Sequence, residues 1–259
     1  MTGEWVEWIA NLNVRYVLLI SAVLTLVRLG LTPWNTRLVR RSNVGLSPVY
    51  SPRLYSLNEL VESAVLAFVL VFMVIRPFVV QAFYIPSGSM RPTLLEQDRI
   101  LVDKFTLRFR EPMPGDILVF KAPPEADPRE IEFIKRCVGV PGDVIEVRDG
   151  VLYRNGKPVN EPYIASPPEY DLKIIGGHVY EIDHYGNVRE NNQMILDPHR
   201  EAYIREAPSE KIPPGKLLML GDNRNDSNDG HKWGLLDRSR VVGKAWILFW
   251  PPQRIRIVR

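Results

Sequence analysis

Apolar positions come first as long runs and then as short alternations, and the change falls near residue 80. Residues 16–31 read YVLLISAVLTLVRLGL and residues 63–80 read SAVLAFVLVFMVIRPFVV, each interrupted by a single arginine. With their flanks, over about 16–34 and 60–80, both runs are long enough to cross a bilayer as helices. Arg28 and Arg76 lie near the ends of the runs, where a long stem can stay in lipid while the guanidinium reaches the headgroups. The bland alternative is a buried core helix, and it fits the first run better than the second, so one or two transmembrane helices are expected.

The first residues, MTGEWVEW, are acidic and aromatic, unlike the basic start of a cleaved leader, which predicts that the first helix is retained. The connection at 35–58 carries Arg37, Arg40, Arg41 and Arg53, with no acidic residue before Glu59. The positive-inside bias makes it a cytoplasmic loop and puts the N-terminus and everything after Val80 on the outer side. Residues 1–80 thus form a membrane anchor region, and 81–259 a separate extracytoplasmic domain.

Beyond Val80 the period changes to that of strands. Runs at Arg99–Phe105, Asp116–Lys121, Ile131–Val138, Val144–Val147, Lys216–Leu220 and Val241–Trp250 are read as strands, with Asp149-Gly150 and Asn155-Gly156 as turns and a hairpin at the second. Residues 161–213, bounded by prolines, are less regular and read as an insertion with one or two extra strands. With 22 prolines, 17 glycines and no long amphipathic helix, the domain is expected to be mainly β, a coiled sheet or irregular barrel.

The 33 basic and 30 acidic residues nearly balance, and much of the excess sits in the inner loop, so a nucleic-acid partner is excluded. Cys137 is the only cysteine, which rules out an internal disulfide and a thiolate-rich metal site; its place on an apolar alternation predicts a buried thiol. The acidic cluster after Leu220 has no calcium-loop spacing.

The candidate chemistry lies in Ser87, Ser89 and Lys135. A serine hydroxyl needs a base to become a nucleophile. The histidines at 178, 184, 199 and 231 do not exclude themselves, but Lys135 offers another route. Strict alternation puts it on one face with Ile131, Phe133 and Cys137, opposite Glu132 and Arg136. There it would lose water and favour the neutral amine. The competing reading is an edge-strand lysine whose amine reaches solvent.

The motifs SGSMRPTL, IKRCVGVPGD and GDNRNDSNDGHKWG, in that order behind an apolar segment, resemble the bacterial type I signal peptidases over roughly residues 59–250. The resemblance implies that Ser89 is the nucleophile, Lys135 the general base, Ser87 an oxyanion-hole hydroxyl and Ser227 the group orienting the lysine. It implies a support shell of Gly221, Asp222, Asn223, Arg224 and Asp229, and a substrate strand running past Ile85, Pro86, Gly88 and Met90. No cofactor or metal is expected. Exported preproteins with signal peptides are the implied substrates, cut after small residues at −3 and −1, with membrane lipid around the enzyme, the secretion translocon as a neighbour and the bacterial cytoplasmic membrane as its location. The chain departs from the family at Asn225-Asp226 and at Gly230-His231, where serine then arginine is usual. Asp229 therefore needs a partner from His231, Lys232 or Arg224. An inactive anchored binding protein of the same fold is the alternative.

Overall fold

The computed structural model describes residues 19–26, 52–71 and 79–258, in two compact units that divide between Gln81 and Ala82. In the first unit, residues 19–26 are helical (α1) and a second helix, α2, covers Pro52–Val69. It begins inside the stretch read as the inner loop, because proline at a first helical position costs no hydrogen bond and its φ is already helical. Leu60 and Leu66 are exposed on it. Among the described residues no helix is long and apolar enough to cross a membrane. The spans expected at 16–34 and 60–80 lie partly outside the described residues, as do Arg28, Arg76 and the arginines at 37, 40 and 41.

The second unit is built on two antiparallel sheets. The first joins β1 (Val80–Tyr84), β2 (Arg99–Asp103), β3 (Ile117–Lys121), β4 (Glu132–Gly139), β12 (Lys216–Leu220), β13 (Leu236–Asp237), β14 (Val241–Trp250) and β15 (Arg256–Ile257). Its order is β1-β2-β14-β3-β4-β12-β13, with β15 also on β14. Shifts of register along β14, between Val241 and Gly243, Ala245 and Ile247, and Leu248 and Trp250, bend the long strand and curl the sheet. At Gly243 a Cβ would come within 2.6 Å of the Asp103 carbonyl oxygen, so only glycine lets β2 and β14 approach there.

The second sheet corrects the reading of 161–213 as irregular. That stretch holds β8 (Tyr170–Ile175), β9 (His178–Asp183), β10 (Val188–Glu190), β11 (Gln193–Met194) and the helix α3 (Pro198–Glu206). Its strands join β5 (Ile145–Arg148), β6 (Val151–Arg154) and β7 (Lys157–Pro158) in the order β11-β10-β9-β8-β5-β6-β7. Asp149-Gly150 and Asn155-Gly156 adopt the positive φ angles of two-residue hairpin turns.

Alternation on both faces explains the runs of apolar residues. On β3, Ile117 and Val119 enter a core with Ile85, Met90, Leu94, Ile100 and Val102, while Leu118 and Phe120 enter another with Cys137, Met219 and Trp233. Leu218 and Leu220 of β12 turn instead to Ile145, Leu172 and Ile174, which binds the two sheets together. Lys216–Leu220 and Val241–Trp250 run as expected. The run from Arg99 stops early, at Asp103, because that carboxylate accepts the N–H groups of Phe105 and Thr106 and folds the chain into a short turn. Cys137 is fully buried, as expected, and burial pushes its thiol up to about 12.

Candidate active site

Ser89 sits where the chain leaves β1. The Ile85 N–H donates to the Asp98 carbonyl and its own carbonyl accepts from Gln97, both at 2.9 Å, so the end of the strand is fixed on one side. Gly88–Met90 then form a single tight turn, with Ser89 8% exposed and Met90 sealed in the core. From the facing loop, the Asn223 N–H donates to the Ser89 carbonyl at 3.1 Å and the Asn223 amide donates to the Gly88 carbonyl at 3.3 Å. Ile85 and Met90, read as substrate-binding positions, put their side chains into the core; being apolar and enclosed, they hold the loop in place instead of touching a ligand with their side chains.

Lys135 projects from β4 between Phe133 and Cys137 in sequence alternation. It is 4% exposed, and its Nζ donates to Ser89 Oγ at 2.7 Å. The Phe133 ring lies 5.4 Å below the nitrogen. Burial lowers the lysine to about 8, against the pull of the Asp229 and Asp222 charges, which favour the protonated form. A deprotonated Nζ at this distance can accept the Ser89 proton. Ser87 is exposed, with its Oγ 3.4 Å from Ser89 Oγ, beside the space an attacked carbonyl would enter.

The loop after β12 forms the back wall. At Gly221 a Cβ would come within 2.5 Å of the Ser89 carbonyl oxygen and closer still to Ser227 Oγ, so glycine is what lets this loop close on the serine. Asp222 takes two hydrogen bonds from Arg136, each 2.7 Å, and one from Thr93 at 2.5 Å. Arg136 also donates to the Gly115 carbonyl at 2.9 Å and stacks on the Tyr163 ring, 3.8 Å from its centroid. Arg224 donates to both oxygens of Glu161, at 2.8 and 2.6 Å, and Tyr163 donates to Glu161 at 2.8 Å.

Asp229 is fully buried. One carboxylate oxygen accepts the Gly221 N–H at 2.7 Å, and the other faces His231 Nδ1 at 2.7 Å and accepts the His231 N–H at 3.1 Å. Burial works against its charge, but His231, the Ser227 hydroxyl and the Gly221 N–H outweigh that and hold the carboxyl below its usual range. The partner this carboxylate lacked in the sequence is thus His231. Ser227 is buried, and its Oγ has no partner of hydrogen-bond geometry, although it lies close enough to Asp229 to favour the carboxylate.

The structure therefore brings together Ser87, Ser89, Lys135, Gly221, Asp222, Asn223, Arg224, Ser227 and Asp229. Thr93, Arg136, Glu161 and Tyr163 were missed. Alternation put Arg136 with Glu132 on the opposite face from Lys135, which is correct, but nothing local says that this face is also covered and holds a carboxylate. Glu161 and Tyr163 lie at the edge of the stretch that carried no readable pattern.

A cleft of about 440 Å³ runs past the pair, bounded by Pro86–Ser89 on one side and Ile131–Lys135 on the other, with Asp127, Asp226 and Asn228 at its rim. β12 pairs with β4 only at Arg136, Cys137 and Gly139. Among the described residues, Glu132–Lys135 have no strand partner on that side, so their backbone groups are open to the cleft.

Residues 57–250 match the family model described as signal peptidase, peptidase S26. The chain is 37% identical over 186 residues to probable signal peptidase I-2 of Synechocystis sp. (strain ATCC 27184 / PCC 6803 / Kazusa), covering 71% of this chain and 69% of that protein. It is 34% identical over 212 residues to probable signal peptidase I-1 of the same organism, covering 80% and 89%. Signal peptidase I of Leptolyngbya laminosa is 38% identical over 185 residues, covering 70% and 74%. The family model over residues 57–250 and these relatives place the chain in the signal peptidase family, peptidase S26, a family of proteases.

Proposed function

We propose that the chain is a signal peptidase I that removes N-terminal signal peptides from exported preproteins, with Ser89 as nucleophile and Lys135 as general base. The observation that carries this reading is the buried 2.7 Å contact between Lys135 Nζ and Ser89 Oγ. The neutral amine takes the hydroxyl proton as Oγ attacks the peptide carbonyl. The resulting imposed negative charge on the carbonyl oxygen is met by the Ser89 N–H and the Ser87 hydroxyl. The amine then gives its proton to the leaving nitrogen, and afterwards activates the water that frees the acyl group. By the family resemblance Ser227 is the group that orients the lysine amine, and its buried hydroxyl, unpartnered beside Asp229, would turn to do so.

An extended substrate fits between the two strand edges. Ile85 spends its backbone groups on Asp98 and Gln97, which leaves those of Tyr84 and the carbonyl of Pro86 for the cleft side, opposite the open edge of Glu132–Lys135. Recognition by backbone leaves side-chain selection to small pockets one and three residues before the cut. The exposed leucines of α2 and the arginine-rich segment before it support anchorage in a cytoplasmic membrane, with two spans and the catalytic unit on the extracytoplasmic face. The intact pair favours an enzyme over an inactive binding protein.

The full-length chain in detergent micelles is expected to cut a preprotein after alanine when alanine also stands at −3, with the site read by mass spectrometry of the two products. Leucine at −1 or −3 should slow cleavage roughly 5- to 150-fold, since overfilling a close pocket costs about 1–3 kcal/mol. Equal rates for alanine and leucine would reject this specificity.

The rate should also follow the lysine. Only the neutral amine is a base, and with Lys135 at about 8 its share grows roughly tenfold per pH unit below that value. kcat/KM is therefore expected to climb from pH 6 to about pH 8 and then level off. A flat profile over this range would remove Lys135 as the titrating base.

A further inference from the structure

The second sheet touches the catalytic loop at one point that the chemistry so far has not used. Tyr170, at the start of β8, lies flat against the His231 ring, with centroids 4.5 Å apart and planes at 17°. His231 is 5% exposed and Tyr170 7%. The histidine is held on its other side by Asp229, through both its Nδ1 and its backbone N–H. Asp229 in turn holds the Gly221 N–H, and Gly221 is packed between Ser89 and Ser227. Neither Tyr170 nor His231 lines the cleft beside Ser89.

We propose that His231 is a positioning residue, clamped by Tyr170 of the second sheet, that fixes and partly offsets the Asp229 charge behind Lys135. The inference rests on the reading of Lys135 as the base. Two consequences follow from the geometry. Asp229 cannot rotate while His231 holds one oxygen and Gly221 the other, so the loop that closes on Ser89 stays in register. The His231 donor also draws negative charge away from the lysine, whose protonated form Asp229 favours. Without that donor, Lys135 would keep its proton to higher pH.

The other charged groups around the clamp are themselves paired or face outward. Arg224 and Glu161, which act on Tyr170 from beside the loop, bind each other. Glu181 of β9 is paired with Arg189 at 3.1 Å. Glu169, Asp183, His184 and Lys232 border the open cleft outside His231. Asp222, the other charge acting on Lys135, is held by Arg136 and does not contact His231.

Three full-length variants separate the parts. His231→Phe keeps a flat ring for Tyr170 but has no donor. His231→Asn keeps an amide donor where Nδ1 stands but has no ring. Tyr170→Leu removes the clamp and leaves His231 intact. Each is compared with the parent for kcat, KM and pH profile on one preprotein. The Lys135 titration is also followed directly, by NMR of ¹³Cε-labelled lysine in micelles with Lys135→Met to assign the signal. His231→Phe should lose roughly 10- to 100-fold in kcat, as small misplacements in a site do, with KM within about twofold. Its Lys135 midpoint should move up by about half a pH unit or more. His231→Asn should restore most of the rate and the parent midpoint, and Tyr170→Leu should shift both in the same direction as His231→Phe, by less. A folded His231→Phe with the parent midpoint, or a loss that His231→Asn does not relieve, overturns the proposal. If His231→Phe does not fold, parent values in Tyr170→Leu overturn it instead. Because the NMR titration needs no turnover, a parent chain that cleaves nothing would count against the proposed function and leave the clamp to be judged by the lysine signal.

Discussion

Ser89→Ala and Lys135→Ala should each abolish cleavage of a signal-peptide substrate, lowering turnover by about 10⁴-fold or more while leaving the protein folded. Groups that act as one unit are not additive, so the double variant should be no worse than either single one. The lysine change opens a space beside Phe133, and Lys135→Met, which fills it, separates loss of the amine from loss of packing. Circular dichroism should match the parent for Ser89→Ala, and any fall in thermal stability should stay within the cost of one buried donor that loses its acceptor, about 1–3 kcal/mol. Ser87→Ala should fall well short of these losses, at roughly 10² to 10³, because the Ser89 N–H would remain in the oxyanion hole. Substantial turnover by purified Ser89→Ala would end the assignment.

The second large effect is on stability. Asp222→Ala leaves Arg136, 2% exposed, with a buried charge and only the Gly115 carbonyl and the Tyr163 ring for company. Breaking one side of a buried pair costs about 3–5 kcal/mol, which in a domain of this size is roughly 6–20 °C in Tm. Activity should fall as well, since Asp222 lies between Gly221 and Asn223, both of which hold the Ser89 turn. Replacing both partners, with Arg136→Met and Asp222→Leu, should recover much of the stability, because the penalty comes from the orphaned charge and not from the absence of the pair. Thermal melts of the single and double variants decide it; a single-variant loss under about 1 kcal/mol would mean that water reaches Arg136.

The parts of the site that were legible in the sequence are those whose constraint is local. Lys135 could be placed on a buried face because alternation needs only its neighbours, and Gly88 and Ser89 stood in a motif beside the end of an apolar run. Arg136 obeys the same alternation, yet its burial depends on β12 and on Asp222 far along the chain, which no window reveals. The strands of the first sheet were read nearly to the residue where both faces are apolar, as in Lys216–Leu220. The second sheet was not, because Tyr170–Ile175 and His178–Asp183 mix lysine, glutamate and aspartate into a half-buried alternation between prolines. The pairing of Tyr170–Ile175 with β5 is settled by tertiary contact. The sequence offers His231 as one of four candidate histidine bases and one of three partners for Asp229, and the stacked Tyr170 that singles it out belongs to that unread sheet.

Cys137 gives the site a further property. The thiol is two residues from Lys135 on the same strand, is the only thiol in the chain, and is kept protonated by the same burial that disfavours the lysine ammonium. Oxidants and alkylating agents react with the thiolate, and this one forms only when the sheet opens. On the proposed reading the nucleophile is a hydroxyl and the single thiol is sealed away, so reagents directed at thiols should leave cleavage unchanged.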